Sequence, residues 1–415
     1  MLRYFGAYDL PVFPPELVDQ TIDYLHDDKP NLKTCSLVSR LWLNSTRHHI
    51  FRSTVIVGDS RPGHGFAKFR AFLISHPNIG LHIHELRLQG EVNLSFWRPQ
   101  LQRLDIFGVR FGGCDEECHG RAFNPDPVSL DQITLVAGSV EDDFADTLDF
   151  LRLFGHVQHL YVFELTWCTS DMPNLGAFGR RLHELGPPTQ LQVHSLATGH
   201  AFNPTSSLLC ETLRFTRTVD TLYCLGAECA GWDHIQAVGD LVRDVGPNLL
   251  HLHMDPALVL MNEESYNDNH LRWRVLQAHS CLNLKTISLM IILDDHPFTE
   301  DLSEEEKRCT STNIISLIST LEKSASLRHI TIKFSFDTEE ETPAQVLAAG
   351  VDWDKMVSVL NSFEDLEIVQ IICADGYDVL EECRPVLLEK LCILHGEGKL
   401  KIATLNEENL FGAEL

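Results

Sequence analysis

The chain of 415 residues lacks most of the features that announce a function. No apolar run is long enough to cross a bilayer: the strongest, "ISLMIIL" at 287–293, falls far short of the roughly 20 residues a spanning helix needs. Residues 1–12 hold one Arg and no apolar stretch of signal-peptide length, so the expectation is an intracellular protein, cytoplasmic, nuclear or both. Basic side chains are scarce. Lys and Arg number 33 against 59 Asp and Glu, a formal charge of −26. That balance argues against gripping a phosphate backbone, so neither a nucleic acid nor a membrane is an expected partner.

Catalytic signatures are missing as well. There is no Gly-x-Ser-x-Gly elbow, no His-Glu-x-x-His and no kinase-like set of loops. No glycine-rich phosphate loop follows a strand pattern, and "GDSRPGHG" at 58–65 has neither the dinucleotide nor the P-loop spacing. Paired carboxylates carry almost no information in so acidic a chain. The expectation is a protein with no catalysis of its own and no cofactor.

Metal-ligand spacing is equally thin. Twelve cysteines are scattered along the chain, which suits reduced and mostly buried thiols. Their tightest group, Cys114 and Cys118 with His119 in "CDEECHG", has no second pair to complete four ligands, and Cys224 and Cys229 stand alone. His82 and His84 in "HIHEL", like His251 and His253 in "LHLHM", put two rings on one face of a strand, but two ligands are not a site. No metal is expected.

What the chain does have is a returning local pattern. Leu-x-x-Leu-x-Leu, or a near version, occurs in "IHELRL" (83–88), "LQRLDI" (101–106), "LDQITL" (130–135), "VQHLYV" (157–162), "VDTLYC" (219–224), "LLHLHM" (249–254), "LKTISL" (284–289), "LRHITI" (327–332) and "LEIVQI" (366–371). "LQVHSL" (191–196) fits more weakly. Helical periodicity lies between some of them, as in 142–155, 232–246 and 351–366. One short strand and one helix per unit imply a parallel strand layer with helices outside, each unit needing its neighbours to close a core. The predicted fold is therefore α/β, with an irregular leucine-rich-repeat-like α/β solenoid over 81–415. A doubly wound sheet is the alternative, disfavoured by the missing phosphate loop.

Strand side chains alternate, so residues between the leucines share the face away from the helices. By that register they are Arg87, Asp105, Thr134, Tyr161, Tyr223, His253, Ser288, Thr331 and Gln370, with Phe107, Phe163 and Lys333 one strand position further on. They form the candidate surface for an unknown target protein, because aromatic and polar types are enriched in recognition surfaces.

The front of the chain is different. Residues 1–56 are electrically neutral, so the acidity lies beyond them, in runs such as "EDLSEEE" (300–306) and "DTEEE" (337–341). "FPPELVDQTIDYLHDDKPNLKTCSLVSRLWL" (13–43) opens with prolines where a helix can start, then carries Leu17, Val18, Ile22 and Leu25 at helical spacing. "HDDKPN" breaks the first helix; Leu32, Cys35 and Val38 suggest a second, and a third begins near Ser39 and carries Trp42. Three short helices bury little area alone, and such a unit completes its core against something else.

This stretch resembles the F-box, in the form found in large fungal families. The residues that carry the likeness are Phe13-Pro14-Pro15-Glu16-Leu17, Ile22, Leu25, Leu32, Cys35, Val38 and Trp42, with Phe13 where the family most often has Leu. The resemblance implies a helical domain over 10–55, a connecting segment over 56–80, and docking on a Skp-type adaptor and through it a cullin. It assigns adaptor contact to Phe13, Pro14, Leu17, Ile22, Leu25, Leu32 and Val38, and gives Trp42 the task of holding the helices together. It also implies a substrate receptor of a cullin–RING ubiquitin ligase. A non-ligase binding scaffold that keeps an F-box-like fold is the alternative.

Overall fold

Proline marks where many of the helices begin. The computed structural model describes residues 14–57, 64–89, 101–108, 110–111, 127–136, 139–140, 150–163, 166–167, 188–199, 204–229, 232–255, 273–294, 309–321, 324, 326–337 and 341–404. Phe13, Cys114, Cys118, His119, the run 300–306 and most of the candidate helix 142–155 lie outside these residues. Helix α1 (Pro15–Tyr24) has proline at its start, where the missing N–H costs nothing. Helix α2 (Lys29–Cys35) has Pro30 in its first turn and Asp28 as its cap, the carboxylate accepting from Asn31 N at 3.1 Å. Helix α3 (Arg40–Arg52) is capped by Ser39, whose Oγ accepts from Trp42 N. Further along, Thr342 and Gln345 form a reciprocal capping box at the start of the helix Pro343–Gly350.

The front helices enclose a small core of their own. Val18, Ile22 and Leu32 are wholly buried, and Leu25, Cys35, Trp42 and Ile50 pack on them. Polar clasps tie α1 to α3: Ser45 Oγ donates to Asp19 Oδ1, and His49 Nε2 lies 2.8 Å from Asp23 Oδ1. Inside α3, Thr46 is fully buried and returns its hydroxyl to Trp42 O at 2.8 Å.

The strands in chain order are β1 (Ser53–Val57), β2 (Glu85–Gln89), β3 (Arg103–Phe107), β4 (Arg110–Phe111), β5 (Val128–Val136), β6 (Ser139–Val140), β7 (Phe154–Phe163) and β8 (Thr166–Trp167). They continue with β9 (Gln192–Gly199), β10 (Cys224–Glu228), β11 (His251–Asp255), β12 (Thr286–Asp294), β13 (His329–Asp337), β14 (Ile368–Cys373) and β15 (Leu400–Thr404). Twelve of them form one sheet in the order β1-β2-β3-β5-β7-β9-β10-β11-β12-β13-β14-β15, while β4, β6 and β8 form a separate small sheet. Every pair recorded in the large sheet is parallel. The order never reverses, so the sheet has no switch point of the kind a doubly wound fold requires. At about 4.8 Å per strand it is roughly 50 Å across.

Register explains its stability. Leu86, Leu104, Ile133, Leu160, Leu196, Leu225, Leu252, Ile287, Ile330, Val369 and Leu400 pair in one continuous row. Two residues on, a second row runs from Ile56 through Leu88, Ile106, Leu135, Val162, Thr198, Ala227, Met254, Leu289, Ile332 and Ile371 to Ile402. These rows and the apolar faces of the flanking helices make one core. Each fully buried Leu or Ile contributes about 1.5–3 kcal/mol.

Within 56–80, expected as a connecting segment, lie the last residues of β1 and the helices His64–Ser75 and Pro77–Gly80. The pattern "VDTLYC" sits three residues early. The row positions on β10 are Leu225 and Ala227, so "LYCLGA" (222–227) is the unit and Gly226, not Tyr223, lies between them.

The helix Trp232–Val245 approaches its neighbour closely. A Cβ on Gly239 would fall 2.0 Å from Val275 O and 2.8 Å from Val275 C, both backbone atoms that cannot turn aside. Gly239→Ala is expected to lower stability by about 2 kcal/mol or more. Gly226→Ala, whose Cβ would rest 3.5 Å from Ala197 Cβ, is expected to change it by less than about 1 kcal/mol. Urea-unfolding midpoints of the two variants check this; equal midpoints would contradict the close approach.

Candidate functional site

Two surfaces collect the candidate residues. The first is on the helical unit. Amphipathic helices place some apolar side chains inward and some outward, and α1 and α2 sort the expected adaptor set accordingly. Pro14 is exposed, as are Leu17 (44%) and Val38 (62%). Ile22 and Leu32 are fully buried, so these two support the surface from within instead of forming it; Leu25 is half-buried and packs beside them. Trp42 packs against the same core, in the position expected of it. Sequence reasoning missed Tyr24, Leu37 and Leu41, which are also exposed (Leu37 at 85%). The signal was present in "CSLVSRL", where the turn after α2 puts Leu37 and Val38 side by side.

Where α3 runs directly into β1, four histidines gather. His48 lies 5.1, 6.3 and 5.5 Å, centroid to centroid, from His49, His82 and His84. Burial, then the charges of His49, His84, His82 and Arg52, hold His48 below the ordinary histidine value; burial, then Arg47 and His84, do the same for His82. Among the described residues no group of three or more His, Cys, Asp or Glu is arranged to hold a metal ion.

The second surface is the sheet face away from the aliphatic rows. Pairing aligns Val55, Arg87, Asp105, Thr134, Tyr161, Ala197, Gly226, His253, Ser288, Thr331, Gln370 and Lys401 in one row across all twelve strands. Arg87, Asp105, Tyr161, His253, Ser288, Thr331 and Gln370 were expected there, and the structure brings them together. The next row carries Phe107 and Phe163 on one side, Glu228 paired with Asp255, and Lys333 beyond. Tyr223 stands ahead of β10, at the edge of this face.

Two of these residues are turned inward by their neighbours. Asp105 is 4% exposed: both its oxygens accept from Arg103 Nε at 3.1 Å, and Arg87 Nη2 lies 3.5 Å away while its guanidinium sits 5.1 Å over the Phe107 ring. Asp105 is thus a clamp between β2 and β3, and the two arginines are the more exposed groups there. Lys333 is 7% exposed; burial lowers its pKa, and Asp255 and Glu228 oppose that shift. Burial, then Lys333, pushes His253 down to about 3.

The centre of the face is aromatic. His159, Tyr161 and Phe163 follow one another on β7 as a running stack, with centroids 6.2 and 6.3 Å apart and rings tilted by 18° and 15°. At the strand starts His194 meets His156 at 4.6 Å; its Nδ1 donates to Gln158 Oε1 at 2.8 Å, and Gln158 Nε2 donates to Tyr223 Oη at 2.9 Å. His251 stands 6.4 Å beyond Tyr223. Burial holds His159, His194 and His251 toward their neutral forms and raises Tyr161. In these two rows and the one before them, which runs from Glu85 through Arg103, Gln132 and His159 to Ser195, Arg87, Arg103, Lys333 and Lys401 are matched by Glu85, Asp105, Glu228 and Asp255. A strip of uncharged rings within a balanced face is suited to contact by stacking and shape instead of charge.

Compared with known families and with curated proteins, the chain finds no counterpart: no family model matches it, and no curated protein does either. No helix among the described residues is long and apolar enough to cross a membrane.

The histidine joint generates a pH prediction. A histidine held below its ordinary value of 6.5 in the fold contributes stability above that value and loses it as pH falls below it. Stability is therefore expected to fall from pH 7.5 to 5.5, and less steeply in the double variant His48→Gln, His82→Gln. Thermal midpoints at the two pH values check this; identical pH slopes in the variant and the wild type would contradict it.

Proposed function

We propose that the chain is an F-box substrate receptor: a non-catalytic subunit of a cullin–RING ubiquitin ligase that docks on a Skp-type adaptor and holds a target protein. On this reading α1 to α3 are the F-box and the twelve-stranded sheet with its helices is an irregular leucine-rich-repeat-like solenoid. The observation that carries it is the exposed apolar set Leu17, Leu37, Val38 and Leu41 on a helical unit that already has its own core in Val18, Ile22 and Leu32. Apolar residues left outside a closed core, on a unit too small for more, fit a partner's groove. The resemblance of the same stretch to the F-box supplies the partner's identity.

The sheet's outer face supports the second half of the reading. Its aromatic strip of Tyr161, Phe163 and Tyr223 is the part suited to a target. Holding a target near a transfer site accelerates the reaction through proximity alone, so no chemistry is asked of this chain.

Co-expression with a Skp-type adaptor tests the docking half. The wild type is expected to co-purify with the adaptor. Leu17→Asp with Val38→Asp is expected to weaken binding about tenfold or more while leaving thermal stability unchanged. Ile22→Asp, a core change, is expected to lose the helical unit and binding together. A wild type that leaves the adaptor behind would overturn the ligase reading and favour a scaffold that keeps the helical fold alone.

A further inference from the structure

Behind the sheet, polar atoms left without partners gather in one place. Among the described residues, seven buried side-chain nitrogen and oxygen atoms have no hydrogen-bond partner, and five of them belong to Thr198, Ser206, Ser207 and His234. None of these four side chains is at the surface: their residues are 2%, 0%, 1% and 3% exposed. Burying such atoms unpaired is costly, and one isolated case can be tolerated. Five on one short stretch of the fold call for a common partner.

The topology brings the four residues to the C-terminal ends of two adjacent strands. Thr198 is the last residue but one of β9 and stands in the second aliphatic row, so its side chain faces the helices. Beside it in that row is Ala227 of β10, the smallest side chain of the row. The helix Pro204–Leu213 follows β9 and the helix Trp232–Val245 follows β10, so both begin at this end of the sheet. They pack side by side, tied further down by Arg214 to Asp240 and Asp244 at 3.2 and 2.7 Å. Ser206 and Ser207 lie in the first turn of one helix and His234 in the first turn of the other. Helical spacing gives their directions. His234 shares a face with the buried Val238, Leu241 and Val245, opposite the exposed Gln236 and Arg243, so its ring faces the sheet. Ser207 is on the side of Glu211 and Arg214, which meets the second helix. Ser206 is on the buried face of Cys210 and Leu213.

We propose that Thr198, Ser206, Ser207 and His234 form a binding site for a small tetrahedral oxyanion, free phosphate or sulfate, between the first turns of the two helices and the ends of β9 and β10. A single water makes about three hydrogen bonds, fewer than these atoms require. A tetrahedral oxyanion accepts at every corner. Each hydroxyl has a proton to donate. Burial pushes His234 down to about 4, so the ring donates through one nitrogen when neutral, and a bound anion favours the protonated ring, in which both donate. The helix starts add backbone N–H groups that have no partner within their own helix, and the positive ends of two dipoles. Donors and dipoles together select an anion over a neutral ligand. Because all four side chains are buried, the ion is free and not the end of a larger molecule. The site lies on the opposite side of the sheet from the aromatic strip and does not depend on the receptor reading.

The test is equilibrium dialysis of the full chain against radiolabelled inorganic phosphate at constant ionic strength. The expected result is saturable binding of a single phosphate, displaced by sulfate and not by chloride. Thr198→Val keeps the shape of the side chain and removes one donor; Ser206→Ala removes another. Each is expected to weaken binding about tenfold or more, the loss of one hydrogen bond to a charged group. The thermal midpoint of the wild type is expected to rise with phosphate concentration, and that of the variants to rise less at the same concentration. Absence of saturable binding in the wild type overturns the proposal, and so does phosphate that stabilises the wild type and both variants equally; buried water is then what these atoms hold. The wild-type dialysis decides the matter even where a variant folds poorly.

Discussion

The whole arrangement depends on register between parallel strands. No single strand–helix unit closes a core: its two inward residues are covered only when the neighbouring strand presents its own at the same height. A slip of one residue anywhere would turn the leucines outward for that strand and break the rows on both sides. From Leu86 to Leu400 the row is unbroken in aliphatic type. In the second row Thr198 interrupts it, and its hydroxyl is buried without a partner. The outer face inherits its order from this constraint, since residues that alternate with the rows must align as well.

The same continuity governs how the helical unit is held. α3 passes into β1 without an intervening residue, Phe51 packs on the main core, and the His48, His82 and His84 rings gather at that joint. A partner bound to the exposed apolar residues of the front helices would be held at a set distance from the outer face of the sheet. On the proposed reading of the chain as a receptor, that fixed distance would be its contribution.

Much of the fold was legible because leucine spacing reports burial directly. Eight of the nine stronger Leu-x-x-Leu-x-Leu matches fall on strands in the right register. Tyr223 was misplaced because "VDTLYC" and "LYCLGA" overlap and share Leu222; only pairing with β9 and β11 decides between them. β1 and β15 were missed because "STVIV" and "LKIAT" are short edge strands that do not complete the Leu-x-x-Leu-x-Leu spacing: Glu397 stands three residues before Leu400. At the front, helical spacing identified Leu17, Ile22, Leu25 and Leu32 as apolar positions but not which of them face inward, because one stripe serves core and surface alike. Asp105 shows a different limit: its burial follows from arginines on its own and the adjacent strand, and only the three-dimensional register brings Arg87 to it. The acidity of the chain says little about this face, since its paired rows carry matched charges.

Hydrogen exchange of the full chain, alone and with a Skp-type adaptor, tests the central claim most directly. The account predicts protection gained at the start of α1 and across the turn from Leu37 to Leu41, with the strand amides of the sheet unchanged. Protection on β7, β9 and β10 instead would make the outer face the adaptor's site and contradict the division of labour; no change anywhere would remove the adaptor from the account.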